Sequence, residues 1–293
     1  MQLADVLPVD IISVDAAQVY RGMNIGTAKA DAKTLAQYPH YLVDICEPED
    51  TYSAADFRRD AIAQIKQSFA RNRLPVLVGG TMFYFSALKN GLSGLPAADM
   101  EVRTEIQQQA DRRGWQALHQ DLKTIDPELG GQIRPSDPQR IMRALELFQL
   151  SGSKPSELMQ RLKATPCPWP TLHFALFDPD RAALHGRIRQ RYRQMLDDGL
   201  VDEVESLRQR PGLSAQTPSM RTVGYRQVWN YLDGRCSEEE MVEQAVAATR
   251  QLAKRQLTWL RNTAGVIWID ANYQQNVTIL RYFLKENRIS FDV

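Results

Sequence analysis

Four short apolar runs, separated by stretches with helical periodicity, limit what this chain of 293 residues can fold into. Val9–Val14, Pro75–Val78, Leu172–Phe177 and Val266–Ile269 read as buried strands, and Tyr41–Ile45 reads as a weaker fifth. Ala54–Phe69 places Phe57, Ala61, Ile65 and Phe69 on one helical face, and long helices are expected again over Arg181–Leu196 and Glu238–Arg261. Strands alternating with helices at this spacing predict an α/β fold whose mostly parallel sheet is covered on both faces.

The middle of the chain departs from that alternation. From Pro96 to Pro170 no convincing strand occurs, while Met100–Arg113, Trp115–Thr124 and Asp137–Leu150 are helix-like, with Asp99 and Asp137 placed as N-caps. The stretch ends at Pro166-Cys-Pro-Trp-Pro170, which cannot continue a helix. The expected organisation is therefore a helical insertion over 98–169, set into a core made of 1–97 and 170–293.

Composition narrows the function classes. A 43% hydrophobic content supports a packed core, and a net charge of +1 gives no whole-protein field that favours nucleic acid or membrane. The longest apolar run is four residues, against the ~20 of a membrane helix. Three scattered Cys and four His, without CxxC or HExxH, argue against a disulfide framework or structural zinc. With no secretory pattern at Met1–Asp10, the expectation is a cytoplasmic, monomeric enzyme.

Several segments could carry chemistry. Val9–Val14 delivers Asp15 to its carboxyl end, where ligands bind in open α/β sheets; equally, Asp15 could cap the following turn. In Val78-Gly79-Gly80-Thr81 a glycine turn and a hydroxyl at a helix start suit a phosphate or diphosphate, or serve only as a tight turn. Arg221 and Arg226 flank Gly224. Between Gln244 and Ile269 the chain carries Arg250, Lys254, Arg255 and Arg261 and no acid, with Trp259 nearby, a pattern fit for a nucleic-acid backbone and an unstacked base. Arg140 and Arg143, beside Gln139, offer a further basic pair. Taken singly, each basic feature is better read as a solvated helix face. Arg187, Arg189, Arg191 and Arg193 read as solvated, and His173 as a core residue.

Taken in order, ISVDAAQVYRGMNIGTAK, YSAADFRRDA, PVLVGGTMFYF, DPQRIMRALE, MRTVGYRQVWNYL and TRQLAKRQLTWLR resemble the tRNA dimethylallyltransferases, the isopentenyl-diphosphate transferases that modify tRNA. The resemblance runs from Ile11 to Ile269 and implies a sheet of the ATP-binding P-loop-kinase type with a helical insertion that holds the anticodon arm. It implies transfer of a dimethylallyl group from dimethylallyl diphosphate to N6 of the adenosine following the anticodon (position 37), in tRNAs reading codons that begin with U. Asp15 matches the position that accepts the N6 proton. Thr81 and Arg226 match diphosphate contacts, with Gly79 and Gly80 in the same turn. Mg²⁺ is implied, with Asp15 as the one retained candidate ligand.

The tRNA contacts implied by the resemblance fall on five groups of residues. They are Asp15, Ala16, Ala17 and Gln18; Thr81 and Arg103; and Gln139, Arg140, Ile141, Met142 and Arg143. Further along come Arg221, Thr222, Val223, Gly224, Tyr225 and Arg226, then Lys254, Arg255, Gln256, Leu257, Thr258, Trp259, Leu260 and Arg261.

The chain departs from the family pattern at Ala16, where Ser is usual, and at Asn24, where Asp is common. No G-x-x-x-x-G-K-[ST] occurs, and Val9–Val14 follows only eight residues, of which Gln2–Leu7 resemble the tail of a helix. The resulting expectation is a start at an internal Met, with transfer by the chain as written lost or impaired. Alternative readings are a non-catalytic tRNA-binding protein, a free-adenylate dimethylallyltransferase and a small-molecule kinase on the same fold.

Overall fold

A computed structural model describes residues 1–92, 94–162, 165–273 and 276–286. In chain order its elements are β1 (Val9–Val14), α1 (Ala32–Gln37), β2 (His40–Tyr41), α2 (Ala54–Ala70), β3 (Leu74–Gly79) and α3 (Met82–Asn90). Then follow α4 (Met100–Arg113), α5 (Trp115–Ile125), α6 (Pro127–Gln132), α7 (Pro138–Ser151) and α8 (Pro155–Arg161). The chain continues through β4 (His173–Phe177), α9 (Arg181–Asp197), α10 (Leu200–Arg208), α11 (Tyr225–Leu232), α12 (Glu238–Arg261), β5 (Val266–Asp270) and α13 (Asn276–Glu286). It divides into two compact units, Met1–Leu88 with Trp169–Val293, and Lys89–Pro168. No helix among the described residues is long and apolar enough to cross a membrane.

Every described strand pair is parallel, in an α/β arrangement with helices dominant. The strands do not form one continuous sheet: β2-β1-β3 is one, and β4-β5 is another. β1 lies between two partners and is buried along its whole length. β3 is bonded on one edge only, so its apolar run is half-buried and Val78 is 53% exposed. Paired edges and covered faces, rather than hydrophobicity alone, decide which apolar run is buried. The one acid of β1, Asp10, is tolerated because Arg71 and Arg73 bond it at 2.7 and 2.6 Å. Burial pushes its carboxyl up, and these bonds outweigh that to leave it below the usual carboxylate range.

The weaker fifth strand shrinks to two residues. Leu42 and Asp44 take left-handed backbone conformations (φ 62° and 55°) that end β2, and Asp44 turns its carboxylate to the buried Lys29 ammonium at 2.6 Å. Gln2–Leu7 forms hydrogen-bonded turns, with Asp5 and Leu7 donating to Met1 and Leu3, and no regular helix.

Two cores support the first unit. Ile12 and Val14 of β1 pack with Phe57, Ala61 and Ile65 of α2 and Tyr84 of α3. The larger core joins Val19, Tyr20 and Met23, just beyond Asp15, to Leu200, Val204, Tyr225, Val228, Met241 and Ala245 on α10, α11 and α12. Apolar packing thereby ties the loop after β1 to helices nearly 200 residues later in the chain. The other unit has its own core, with Ile106, Leu118, Leu122, Ile141 and Leu145 at its centre. Asp99 and Asp137 cap α4 and α7 as their positions predict.

Candidate functional site

β1 and β3 run in register, with Val14 opposite Gly79, so their carboxyl ends open at the same level. Asp15 follows β1 directly. Its Oδ1 accepts hydrogen bonds from the amides of Ala17 (2.8 Å) and Gln18 (3.3 Å), the turn-capping role that its position allowed. Oδ2 has no hydrogen-bond partner among the described residues. Capping and chemistry are thus divided between the two oxygens: one fixes the carboxylate, the other is left to accept a proton or a hydrogen bond.

The glycine turn is fastened to this loop. Thr81 donates its amide to the Val14 carbonyl (3.1 Å), and its Oγ1 accepts from the Ala16 amide (3.0 Å). Thr81 takes the N-cap position of α3 as read from the sequence, its carbonyl accepting from the Tyr84 and Phe85 amides, but its hydroxyl faces the Asp15 loop. The Thr81 amide is already used, and its hydroxyl oxygen braces the Asp15 loop while the hydroxyl hydrogen stays available to donate. Gly79 admits no side chain, because a Cβ there would lie 2.1 Å from the Val14 carbonyl oxygen. Gln256 of α12 donates to the Gly80 carbonyl (2.9 Å), seating the basic helix on the same turn.

Ser13, Asp15, Gln18, Ala28, His40, Val78 and Gly79 line a cavity of about 380 Å³. Arg226, exposed on the first turn of α11, does not line it. A larger cavity of about 590 Å³ shares none of these residues. It is lined by Asp50, Asp56 and Asp60 with Arg59, and that acidic wall is poorly suited to a diphosphate.

The remaining expected contacts fall into three kinds. Arg221, Arg226, Lys254, Arg255 and Arg261 are exposed, and their side chains make no ion pair among the described residues. Trp259, on the same helix as Lys254, Arg255 and Arg261, is 43% exposed. Arg250 is half-buried, its Nε without a partner. A second kind serves packing. Gly224 and Tyr225 are buried, Ile141 is fully buried in its unit's core, and Met142 packs against that core, so the side chains of Ile141 and Tyr225 are not offered to RNA. Thr222, Val223, Leu257 and Leu260 are half-buried; Thr258 is exposed and bonds the Lys254 carbonyl.

The third kind is already paired. Arg103 and Arg143 both bond Glu146, whose side chain is 0% exposed, at 2.8 and 2.5 Å. Gln139 and Arg140 remain exposed at the start of α7, Arg140 leaning on Asp137 at 3.6 Å. The Gln18 side chain is occupied by Ser13 and the Thr27 carbonyl, and Ala16 and Ala17 contribute their amides to the turn. On α9, Arg187 and Arg189 pair with Asp178 and Glu243 rather than standing free in solvent.

Sequence reasoning missed Glu203 and Glu146, the two carboxylates that organise the most backbone and side-chain donors. Glu203 carried one signal, as an acid on the same helical face as Leu200, Val204 and Leu207.

No group of three or more His, Cys, Asp or Glu side chains converges among the described residues, and Asp15 has one oxygen already held by two amides.

The IPP transferase family model matches residues 18–263. The structure is similar to the full-length tRNA isopentenylpyrophosphate transferase of Bacillus halodurans, at 36% identity over 97% of this chain and 90% of that one, with a TM-score of 0.70. It is similar to the tRNA delta(2)-isopentenylpyrophosphate transferase of Staphylococcus epidermidis, at 29% identity over 99% and 94%, TM-score 0.67. It shares the fold of a eukaryotic dimethylallyltransferase acting on tRNA, at 22% identity over 98% and 74%, TM-score 0.78. With a match across most of its length, the chain belongs to the IPP transferase family.

Proposed function

We propose that this chain is a tRNA dimethylallyltransferase, moving the dimethylallyl group from its diphosphate to N6 of the adenosine that follows the anticodon. The observation that carries this reading is the free Oδ2 of Asp15 beside a glycine turn on which the cationic helix α12 is seated through Gln256. An exocyclic adenine amine is a weak nucleophile, so a fixed carboxylate that accepts its proton as the N–C bond forms lowers the barrier. The diphosphate leaves from the allylic carbon as charge builds on its oxygens. Thr81 can donate its hydroxyl hydrogen there, and the unpaired Arg226 supplies positive charge. The adenine must leave its stack to reach Asp15, and Trp259 with Lys254, Arg255 and Arg261 forms a surface suited to an unstacked strand. Bound beside the free oxygen of Asp15, Mg²⁺ would take its remaining ligands from the diphosphate and water and would neutralise charge on the leaving group.

The test offers the protein labelled dimethylallyl diphosphate with either an anticodon stem-loop or free AMP. Transfer to the stem-loop, with an affinity that falls steeply as salt rises, is expected. Transfer to AMP alone would move the chain to the free-nucleotide class, and tight stem-loop binding without transfer would mark a binding protein.

A further inference from the structure

Glu203 lies on the inward face of α10, between the buried Leu200 and the buried Val204 and Leu207. Its carboxylate accepts four hydrogen bonds. Oε2 receives the amides of Asn24 (2.9 Å) and Ile25 (2.8 Å), while Oε1 receives the Gly26 amide (3.3 Å) and the Tyr225 hydroxyl (2.5 Å). Three successive amides curled around one anion form a concave nest of the kind that elsewhere holds phosphate. Here the anion is the protein's own side chain. No other acceptor serves those three amides among the described residues. Charge-assisted bonds of this type are about twice as strong as neutral ones.

What the carboxylate joins matters for the site. On one side, the loop it holds carries Thr27, whose carbonyl accepts from the Gln18 side chain (3.3 Å); the Gln18 amide in turn bonds Asp15. On the other side, Tyr225 opens α11 immediately before Arg226. The Tyr225 ring lies so near Gly26 that a Cβ there would come within 2.4 Å of a ring carbon. A path thus runs from Asp15 through Gln18, the adjoining Thr27 and Gly26 of the loop, and Glu203 to the residue next to Arg226.

We propose that Glu203 is a positioning residue for the transfer reaction, locking the Asn24–Thr27 loop to α11 so that Asp15 and Arg226 stay in register on either side of the substrate. This rests on the function proposed above, and it adds a role for a residue that touches neither substrate. Glu203→Gln keeps the shape but turns an NH₂ group toward backbone donors. Tyr225→Phe removes one of the four bonds and leaves the amide nest whole.

The test makes both variants in the full-length protein and measures amide hydrogen exchange beside single-turnover transfer. In Glu203→Gln, exchange at Asn24–Gly26 is expected to rise about tenfold or more while α12 is unchanged. Transfer at saturating substrates is expected to fall at least about tenfold, with stem-loop affinity held within about threefold. Tyr225→Phe, the safeguard should Glu203→Gln not fold, is expected to slow transfer less and to leave the amides protected.

Unchanged exchange in Glu203→Gln overturns the anchor whatever the activity. Faster exchange with a normal transfer rate overturns the positioning role and leaves a structural one, as does a rate loss that only follows a lower melting temperature. If the unsubstituted protein transfers nothing to the stem-loop, the proposed function fails and the positioning role falls with it, while the exchange comparison still reports on the anchor.

Discussion

At Gly79 the backbone of β3 passes so near β1 that any Cβ would overlap the Val14 carbonyl oxygen, whereas at Gly80 a Cβ would meet only the movable amide end of Gln256. The two glycines therefore differ in kind. Gly79→Ala must push two paired strands apart at the point where Thr81 bonds the Asp15 loop, and a loss of about 1–3 kcal/mol is expected. Gly80→Ala displaces one side chain and is expected to cost less. Thermal unfolding of the two variants checks the contrast, and equal effects would show that β3 yields more readily than its pairing implies.

The helices of the Lys89–Pro168 unit are held by more than apolar contact. Glu146 on α7 binds Arg103 of α4, Arg143 of its own helix and the Asp99 amide at the α4 cap. Burial pushes its carboxyl up, but the bonds from Arg103 and Arg143 and the Asp99 amide outweigh burial, so its pKa lies below the ordinary Glu value. The sign follows from that direction. A carboxyl depressed in the folded state adds stability above its unfolded pKa, and this is lost as pH falls through the folded one. Glu146→Ala, which strands two arginines, is expected to cost about 3 kcal/mol at neutral pH. The penalty should shrink as pH drops below the usual carboxylate range. Denaturant midpoints of wild type and variant along a pH series check this, and a constant difference would contradict it.

Elements of this kind were legible in the sequence where one signal ruled. The bounds of α4 and α12 follow from periodicity and caps, and β1 from its apolar run. Tyr41–Ile45 failed as a strand because left-handed residues at Leu42 and Asp44 interrupt a local β pattern, with Asp44 paired to Lys29. The turn that Asp15 caps and the tight turn at Gly79–Thr81 were legible from position alone. The Arg143–Glu146 pair, at i,i+3 on one helix, could have been read from the sequence, whereas Arg103 looked like a free cation because its partner, Glu146, is brought to it by α4–α7 packing that no spacing reveals. Glu203 was hidden for the same reason, its donors lying nearly 180 residues earlier in the chain.

Across the whole molecule the net charge of +1 conceals an uneven distribution. Many arginines are spent on internal pairs, such as Arg210 with Glu47 and Glu49, while Lys254, Arg255 and Arg261 on α12 make no ion pair among the described residues. If that free set grips an RNA backbone, each phosphate contact contributes roughly 0.7–0.9 to the slope of log affinity against log salt. Replacing all three with Ala should then weaken stem-loop binding and lower the slope by about 2. Titrations at several salt concentrations check it. A weaker affinity with an unchanged slope would assign the loss to folding rather than to phosphate contacts.

The central claim is that the free oxygen of Asp15 takes the N6 proton during transfer. Asp15→Asn preserves the side chain's shape and one acceptor oxygen to cap the Ala17–Gln18 turn while removing the base. The decisive measurement is the single-turnover rate of dimethylallyl transfer to an anticodon stem-loop by the full-length protein and this variant, with both substrate affinities measured in parallel. The expected result is a rate lowered by roughly 10²–10⁴-fold with affinities nearly unchanged. A variant that transfers at the wild-type rate would contradict the assignment of Asp15 as the base.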